Sequence, residues 1–257
     1  MKNVLILGSG RSGTSMVTGA LADSGYNLGD NSEYLGKNPA NPKGFFEDYE
    51  VNTINEDILK LSLFNFPDKI TLSLFPNFTF YRARWLARIP FFLPIRSNKI
   101  INERIKKVIS KEPFCFKDPR FSYTLPIWLE FINRNTKLII VYREPGKTAE
   151  SIVRECLETP VLNKLKMTED KALKIWKSMY LHILANYQKS TDKESWFFLH
   201  YNQVFEKDKI HQLEEFIDAK INHAFAEKTI SRSSHTNGLI HKGYSEIYNQ
   251  LNLLSKY

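Results

Sequence analysis

The chain has only two cysteines, Cys115 and Cys156, in 257 residues, too few for a disulfide framework. Cys115 lies in the apolar run Phe114-Cys115-Phe116 and reads as a small core residue. Its six histidines show no ligand spacing with cysteine or carboxylate, so no metal is assigned. No apolar run is long enough to cross a bilayer, and the N-terminus enters a strand without a charged region and a cleavable apolar segment. A cytoplasmic location is the expectation. Internal repeats and low-complexity stretches are missing as well. The net charge of +8 comes from scattered basic residues with no nucleic-acid motif, so it suits an anionic cofactor or substrate rather than nucleic acid. An apolar content of 42% supports a real core, and the length suits one α/β domain over residues 1–257 with an insertion at about 61–97.

The first fifteen residues organise the rest. Val4-Leu5-Ile6-Leu7 is a continuous apolar run, as in a strand buried on both faces. Gly8-Ser9-Gly10-Arg11-Ser12-Gly13-Thr14-Ser15 follows, then an apolar-periodic helix through Met16, Val17, Ala20 and Leu21. Strand, glycine-rich turn and helix together point backbone N–H groups and a helix N-terminus at an anion. Ser12, Thr14 and Ser15 add hydroxyl donors. The spacing resembles a nucleotide triphosphate P-loop, but Thr14 stands where that loop has its lysine, and the cation sits inside the turn as Arg11. The Rossmann pattern is matched only by Gly8, Gly10 and Gly13, with no acidic partner at the end of a second strand. Glycines that merely cap a helix are the bland alternative.

Along the chain, Gly25 to Gly44 reads as a long loop beside this turn, followed by a helix starting near Glu47. Aromatics, prolines and arginines occupy Leu61 to Arg96, and a helix is expected at about 98–111. A strand at 113–116 ends on Lys117-Asp118-Pro119-Arg120, and a helix at 121–133 leads to the strand 137–142. That strand ends on Arg143, and a helix begins near Lys147. A long amphipathic helix at about 169–188 precedes a strand at 196–201 and a helix at about 209–216. Apolar strands alternating with helices imply a three-layer α/β fold, with a central parallel sheet covered on both faces. Ligands of such sheets lie at the carboxyl ends of strands, so Arg11, Lys117, Arg143 and Tyr201 should converge on one crevice.

Three segments carry a family resemblance. GSGRSGTS resembles the loop that binds the 5′-phosphosulfate in sulfotransferases using 3′-phosphoadenosine 5′-phosphosulfate. VYREPGKTAES, with Arg143 and Ser151 eight residues apart, resembles that family's element for the donor's 3′-phosphate. LHYNQVFE resembles its strand-tyrosine-loop, with Tyr201 near the same phosphate. The chain is closest in style to bacterial and Golgi-type members, including the tyrosylprotein and carbohydrate sulfotransferases. The resemblance runs from residue 1 to about 235 and is thin between Leu61 and Arg96. It implies a P-loop-type fold and sulfuryl transfer to a hydroxyl, with the donor nucleotide as co-substrate and no metal. It places Gly10, Arg11, Ser12, Gly13, Thr14, Ser15, Arg143, Ser151, Arg154, Tyr201 and Ser231 around the donor.

The chemistry requires positive charge at the leaving phosphate oxygen and a base for the acceptor's proton. Arg11 takes the first role. Glu47, in GFFED, resembles the family's acidic position and takes the second, with Asp48 and Glu33 as substitutes. Glu47 and Asp48 also suit a helix N-terminus on electrostatic grounds alone. Lys117 and Asp118 resemble the family's K-D-P-R turn, which either lines the site or forms a local salt bridge. For Arg143 and Ser151 the plain alternative is a surface charge and a helix residue. For Ser231-Arg232-Ser233 it is a polar loop. The acceptor is a carbohydrate, a lipid-linked glycan or a small alcohol. Residues 77–96, NFTFYRARWLARIPFFLPIR, suit a sugar with an acidic substituent, a peripheral membrane contact, or a packed helical insertion. The rival classes are a P-loop nucleotide-dependent kinase, which Thr14 and the missing strand-end aspartate disfavour, and a nucleotide-binding protein without catalysis.

Overall fold

The computed structural model describes residues 1–29, 44–63, 83–225 and 242–257. Four short apolar strands, β1 (Val4–Leu7), β2 (Cys115–Lys117), β3 (Lys137–Tyr142) and β4 (Trp196–His200), form a parallel sheet in the order β2-β1-β3-β4. Val4 pairs with Cys115 on one side and with Lys137 on the other, and Leu138 pairs with Trp196. The chain therefore leaves β1 for one neighbour and returns to its other side. The end of β1 is a topological switch point, where open α/β sheets bind ligands.

Alternation along the strands sends side chains to two faces. Leu5, Leu7, Phe116, Leu138, Ile140 and Phe198 pack with α2 (Tyr49–Leu63), α3 (Lys99–Ile109), α4 (Phe121–Trp128), α7 (Glu169–Lys189) and α9 (Lys242–Ser255). Val4, Ile6, Cys115, Ile139, Val141 and Leu199 pack with α1 (Thr14–Leu21) and α8 (Lys207–Ile217). The helix α5 (Pro145–Glu158) and the short α6 (Pro160–Asn163) join a further cluster with α7 and residues 83–93. This is the central parallel sheet flanked by helices that the alternating pattern implies.

Some boundaries differ. The helix expected to reach Asn133 stops at Trp128, and 3₁₀-type bonds such as Phe131 N to Trp128 O (3.0 Å) finish the segment. Pro126 inside α4 removes a helical donor. The helix expected near Glu47 begins at Tyr49, because the Asp48 carboxylate accepts from Val51 N (2.8 Å) as an N-terminal cap. The 169–188 stripe is core: Trp176, Tyr180 and Ile183 are fully buried. No described helix is long and apolar enough to cross a membrane.

Candidate active site

The turn between β1 and α1 is built to hold a left-handed backbone. Gly13 (φ 100°) precedes α1, and Arg11 itself sits at φ 68°, a conformation that costs a non-glycine residue energy. The Ser12 hydroxyl, read in the sequence as an anion donor, is fully buried and turned inward to Ser9 O (2.6 Å) and Val141 O (3.1 Å). Tyr180 braces the same place, donating to Val141 O (2.7 Å) and accepting from Ser9 N (3.2 Å). These bonds tie the turn to the end of β3. Gly13 gives α1 no side-chain cap, which leaves the first-turn amides at Thr14 and Ser15 as donors for a ligand. Gly10 is needed for a second reason: a Cβ there would lie 2.5 Å from the Trp85 ring.

Three strand ends meet across this turn. The Tyr201 ring lies against Gly13, where a Cβ would be 2.6 Å from Cδ2. The Arg143 guanidinium also lies on that ring, 4.4 Å from its centroid. Arg11 Nε donates to Ser151 Oγ (3.1 Å), and Arg11 Nη1 pairs with Glu155 Oε2 at 2.9 Å. Thus Arg11, Gly13, Arg143, Ser151 and Tyr201 form one cluster. Burial first, and the neighbouring Arg11 cation with it, lower the pKa of Arg143. Among the described residues Arg143 forms no ion pair, so the cluster is short of negative charge. Beside it, His200 is held neutral, its pKa pushed down to about 3 by burial and by the cations Arg143 and Lys147.

Lys117 and Glu47 form a second group. Lys117 Nζ donates to Glu47 Oε1 at 2.6 Å, with both side chains buried, and Asn52 Nδ2 donates to Oε2 at 3.1 Å. Lys117 pairs with Ile6 in the sheet, so the group stands one strand from the start of the glycine-rich turn. Its neighbour Asp118 bonds Arg120, and Arg120 bonds Glu56 (2.6 Å), which also holds Arg84 (2.5 Å). Burial, with Glu47 adding to it, pushes Asp118 up to about 6 against the pull of Arg120.

Other expected participants stand apart. Arg154 pairs with Glu150 on its own helix at 2.8 Å. Arg84, grouped in the sequence with acceptor-facing arginines, is tied into the Glu56 pair, whereas Arg88 is exposed. Asp48 caps α2. Ser231 and Glu33 lie outside the described residues. Sequence reasoning missed Glu155, Trp85 and the bracing role of Tyr180. Only Glu155 had a local signal, one helical turn after Ser151 and hence on the same face.

The sulfotransferase domain from the curacin biosynthetic pathway superimposes with a TM-score of 0.52 at 15% identity, covering 98% of this chain and 97% of that one. The two share a fold. A sulfotransferase domain from the Synechococcus PCC 7002 olefin synthase aligns at 15% identity and a TM-score of 0.48, over 94% of this chain and 85% of that one. Neither a family model nor a curated protein sequence matches the chain. In this chain, the turn after β1 and the Arg143–Tyr201 contact lie at the carboxyl ends of β1, β3 and β4.

Proposed function

We propose that this chain is a sulfotransferase that moves the sulfuryl group of 3′-phosphoadenosine 5′-phosphosulfate to a hydroxyl. One observation carries the reading: Tyr201 is packed between Gly13 and Arg143 while Arg11 bonds Ser151, which joins two anion cradles in a single crevice. A mononucleotide polyphosphate needs one cradle, and a nucleotide bearing separate 3′ and 5′ groups needs two. The turn, with the amides of Thr14 and Ser15, faces the 5′ end, and Arg143 with Ser151 and Tyr201 faces the 3′-phosphate. The fold shared with a sulfotransferase domain supports the same assignment.

In the reaction the acceptor oxygen attacks sulfur, and the bond from sulfur to the bridging phosphate oxygen breaks. Glu47 takes the hydroxyl proton. Lys117 and Asn52 each engage one of its oxygens and fix its orientation, and each oxygen keeps a lone pair for the proton. Arg11, oriented by Glu155 and Ser151, lends positive charge to the phosphate oxygen as it departs. Arginine and backbone donors carry this field, so no metal is part of the reading. The acceptor proposed first is a carbohydrate or glycan-type alcohol, with lipid-linked glycans and small alcohols tested beside it. A cytoplasmic single-domain enzyme over residues 1–257 belongs to the same proposal. Titration calorimetry with adenosine 3′,5′-bisphosphate, ADP and magnesium ATP tests it. The bisphosphate should bind most tightly; tighter binding of magnesium ATP would assign the turn to a kinase.

A further inference from the structure

Residues 88–91 and α7 line a groove of about 310 Å³. Arg88, Lys174 and Lys177 line it together with Ile89, Phe91 and Leu181, and no carboxylate is among its lining residues. Lys174 Nζ pairs with Asp170 Oδ2 at 2.7 Å. Next to the groove the chain makes a tight turn, closed by Leu93 N donating to Pro90 O at 3.1 Å. Ile89 and Leu93 are buried on either side of it, while Phe91 is 59% and Phe92 71% exposed at its tip.

The exposure of two adjacent phenylalanines is built in, because the chain leading into the turn is tied down twice and, beyond it, Arg96 N donates to Ser62 Oγ (3.0 Å). Ser178 Oγ of α7 donates to Ile89 O (3.0 Å), and Tyr123 Oη donates to Ala87 O (2.8 Å). Phe91 also lies against the His182 ring at 5.2 Å. A rigid aromatic tip loses little conformational freedom when it enters an apolar phase. Beside it, Arg88 and Lys174 are exposed, while the stem of half-buried Lys177 covers apolar surface and its Nζ donates to Gly243 O (3.3 Å).

We propose that this turn and groove dock the protein on an anionic membrane surface, with Phe91 and Phe92 entering the interface and Arg88, Lys174 and Lys177 meeting the headgroups. Aromatic side chains settle at the headgroup level, and each nearby cation adds to attraction by anionic lipid. An acidic protein would satisfy the cations but leave Phe92 without a reason to stand free. The inference needs neither donor nucleotide nor transfer activity.

Co-sedimentation of the full chain, without nucleotide, with vesicles of phosphatidylcholine alone or mixed equally with phosphatidylglycerol tests it. The wild-type protein should bind the mixed vesicles, less so as salt rises. Phe91→Ser with Phe92→Ser should weaken that binding about a hundredfold, roughly tenfold for each buried ring. Arg88→Glu with Lys177→Glu should weaken it at least about tenfold on the mixed vesicles only. Phe91, Phe92 and Arg88 are exposed, so the phenylalanine variant should keep its unfolding midpoint near wild type, whereas Lys177 is half-buried and donates to Gly243 O (3.3 Å), so Arg88→Glu alone repeats the charge test at an exposed position. Failure of the wild type to bind either vesicle would overturn the proposal, as would wild-type binding by either variant. Capture on an immobilised acidic peptide without vesicle binding would assign the surface to a protein partner and overturn it too.

Discussion

Replacing Arg143 by Ala should separate the two cradles energetically. Its guanidinium stacks on Tyr201, forms no ion pair among the described residues, and has its pKa lowered by burial and by Arg11. A cation in that state gains strongly from an anion. Charge-assisted hydrogen bonds contribute on the order of 1.5–3 kcal/mol, so losing them should weaken adenosine 3′,5′-bisphosphate by about ten- to a hundredfold. Loss of the stacked cation also frees the Tyr201 ring, a smaller effect of roughly 0.5–1 kcal/mol. Adenosine 5′-phosphate lacks the 3′ group and should change by no more than about fivefold, set by that smaller effect. Calorimetry on both ligands, with wild type and variant, gives the ratio directly. Equal weakening of the two nucleotides would refute the assignment of Arg143 to the 3′-phosphate. A large drop in unfolding midpoint would also refute it, because a side chain without an ion pair should matter little to folding.

Glu47→Gln should lower turnover by roughly 10²–10⁴-fold with bisphosphate affinity near normal, as for a lost general base. Asp48→Ala should instead cost about 0.5–2 kcal/mol of stability through the lost cap and leave the chemical step intact, measured by denaturant unfolding beside single-turnover rates. Gly13→Ala should impair both folding and nucleotide binding, since its Cβ would meet Tyr201 at 2.6 Å at a φ of 100°; normal calorimetric affinity would contradict the packing described. Acid should destabilise the protein through His200. Its folded pKa of about 3 lies below the ordinary histidine value of 6.5, so the unfolded chain binds the extra proton and stability falls as pH drops between those values. His200→Phe should flatten that part of the unfolding-midpoint profile, and an unchanged slope would assign the acid sensitivity elsewhere.

What the sequence made legible was local. Val4–Leu7 followed by three glycines announces its strand and turn because hydrophobic run and backbone freedom are encoded within a few residues. Arg143 and Tyr201 were found as strand-end residues for the same reason. Contacts between distant segments were not legible. Trp85 covering Gly10, Tyr180 bracing Ser9, and Glu155 holding Arg11 depend on how helices pack, which no spacing rule specifies. Composition misled at Arg84: an arginine among aromatics suggested a ligand, and burial against Glu56 is what the fold makes of it. Likewise α9 and the residues after it, where Ser255 and Tyr257 reach back to Tyr142 and Asn202, fall past the last segment with a motif.

The most direct measurement of the central claim is transfer itself. The purified chain should be incubated with radiolabelled 3′-phosphoadenosine 5′-phosphosulfate and a panel of glycans, lipid-linked glycans and small alcohols, with and without EDTA. The account predicts label in at least one acceptor hydroxyl, release of adenosine 3′,5′-bisphosphate in equal amount, no loss of rate with EDTA, and strong loss in Glu47→Gln. Magnesium-dependent phosphate transfer from ATP, abolished by EDTA and with no label moved from the sulfate donor, would contradict it.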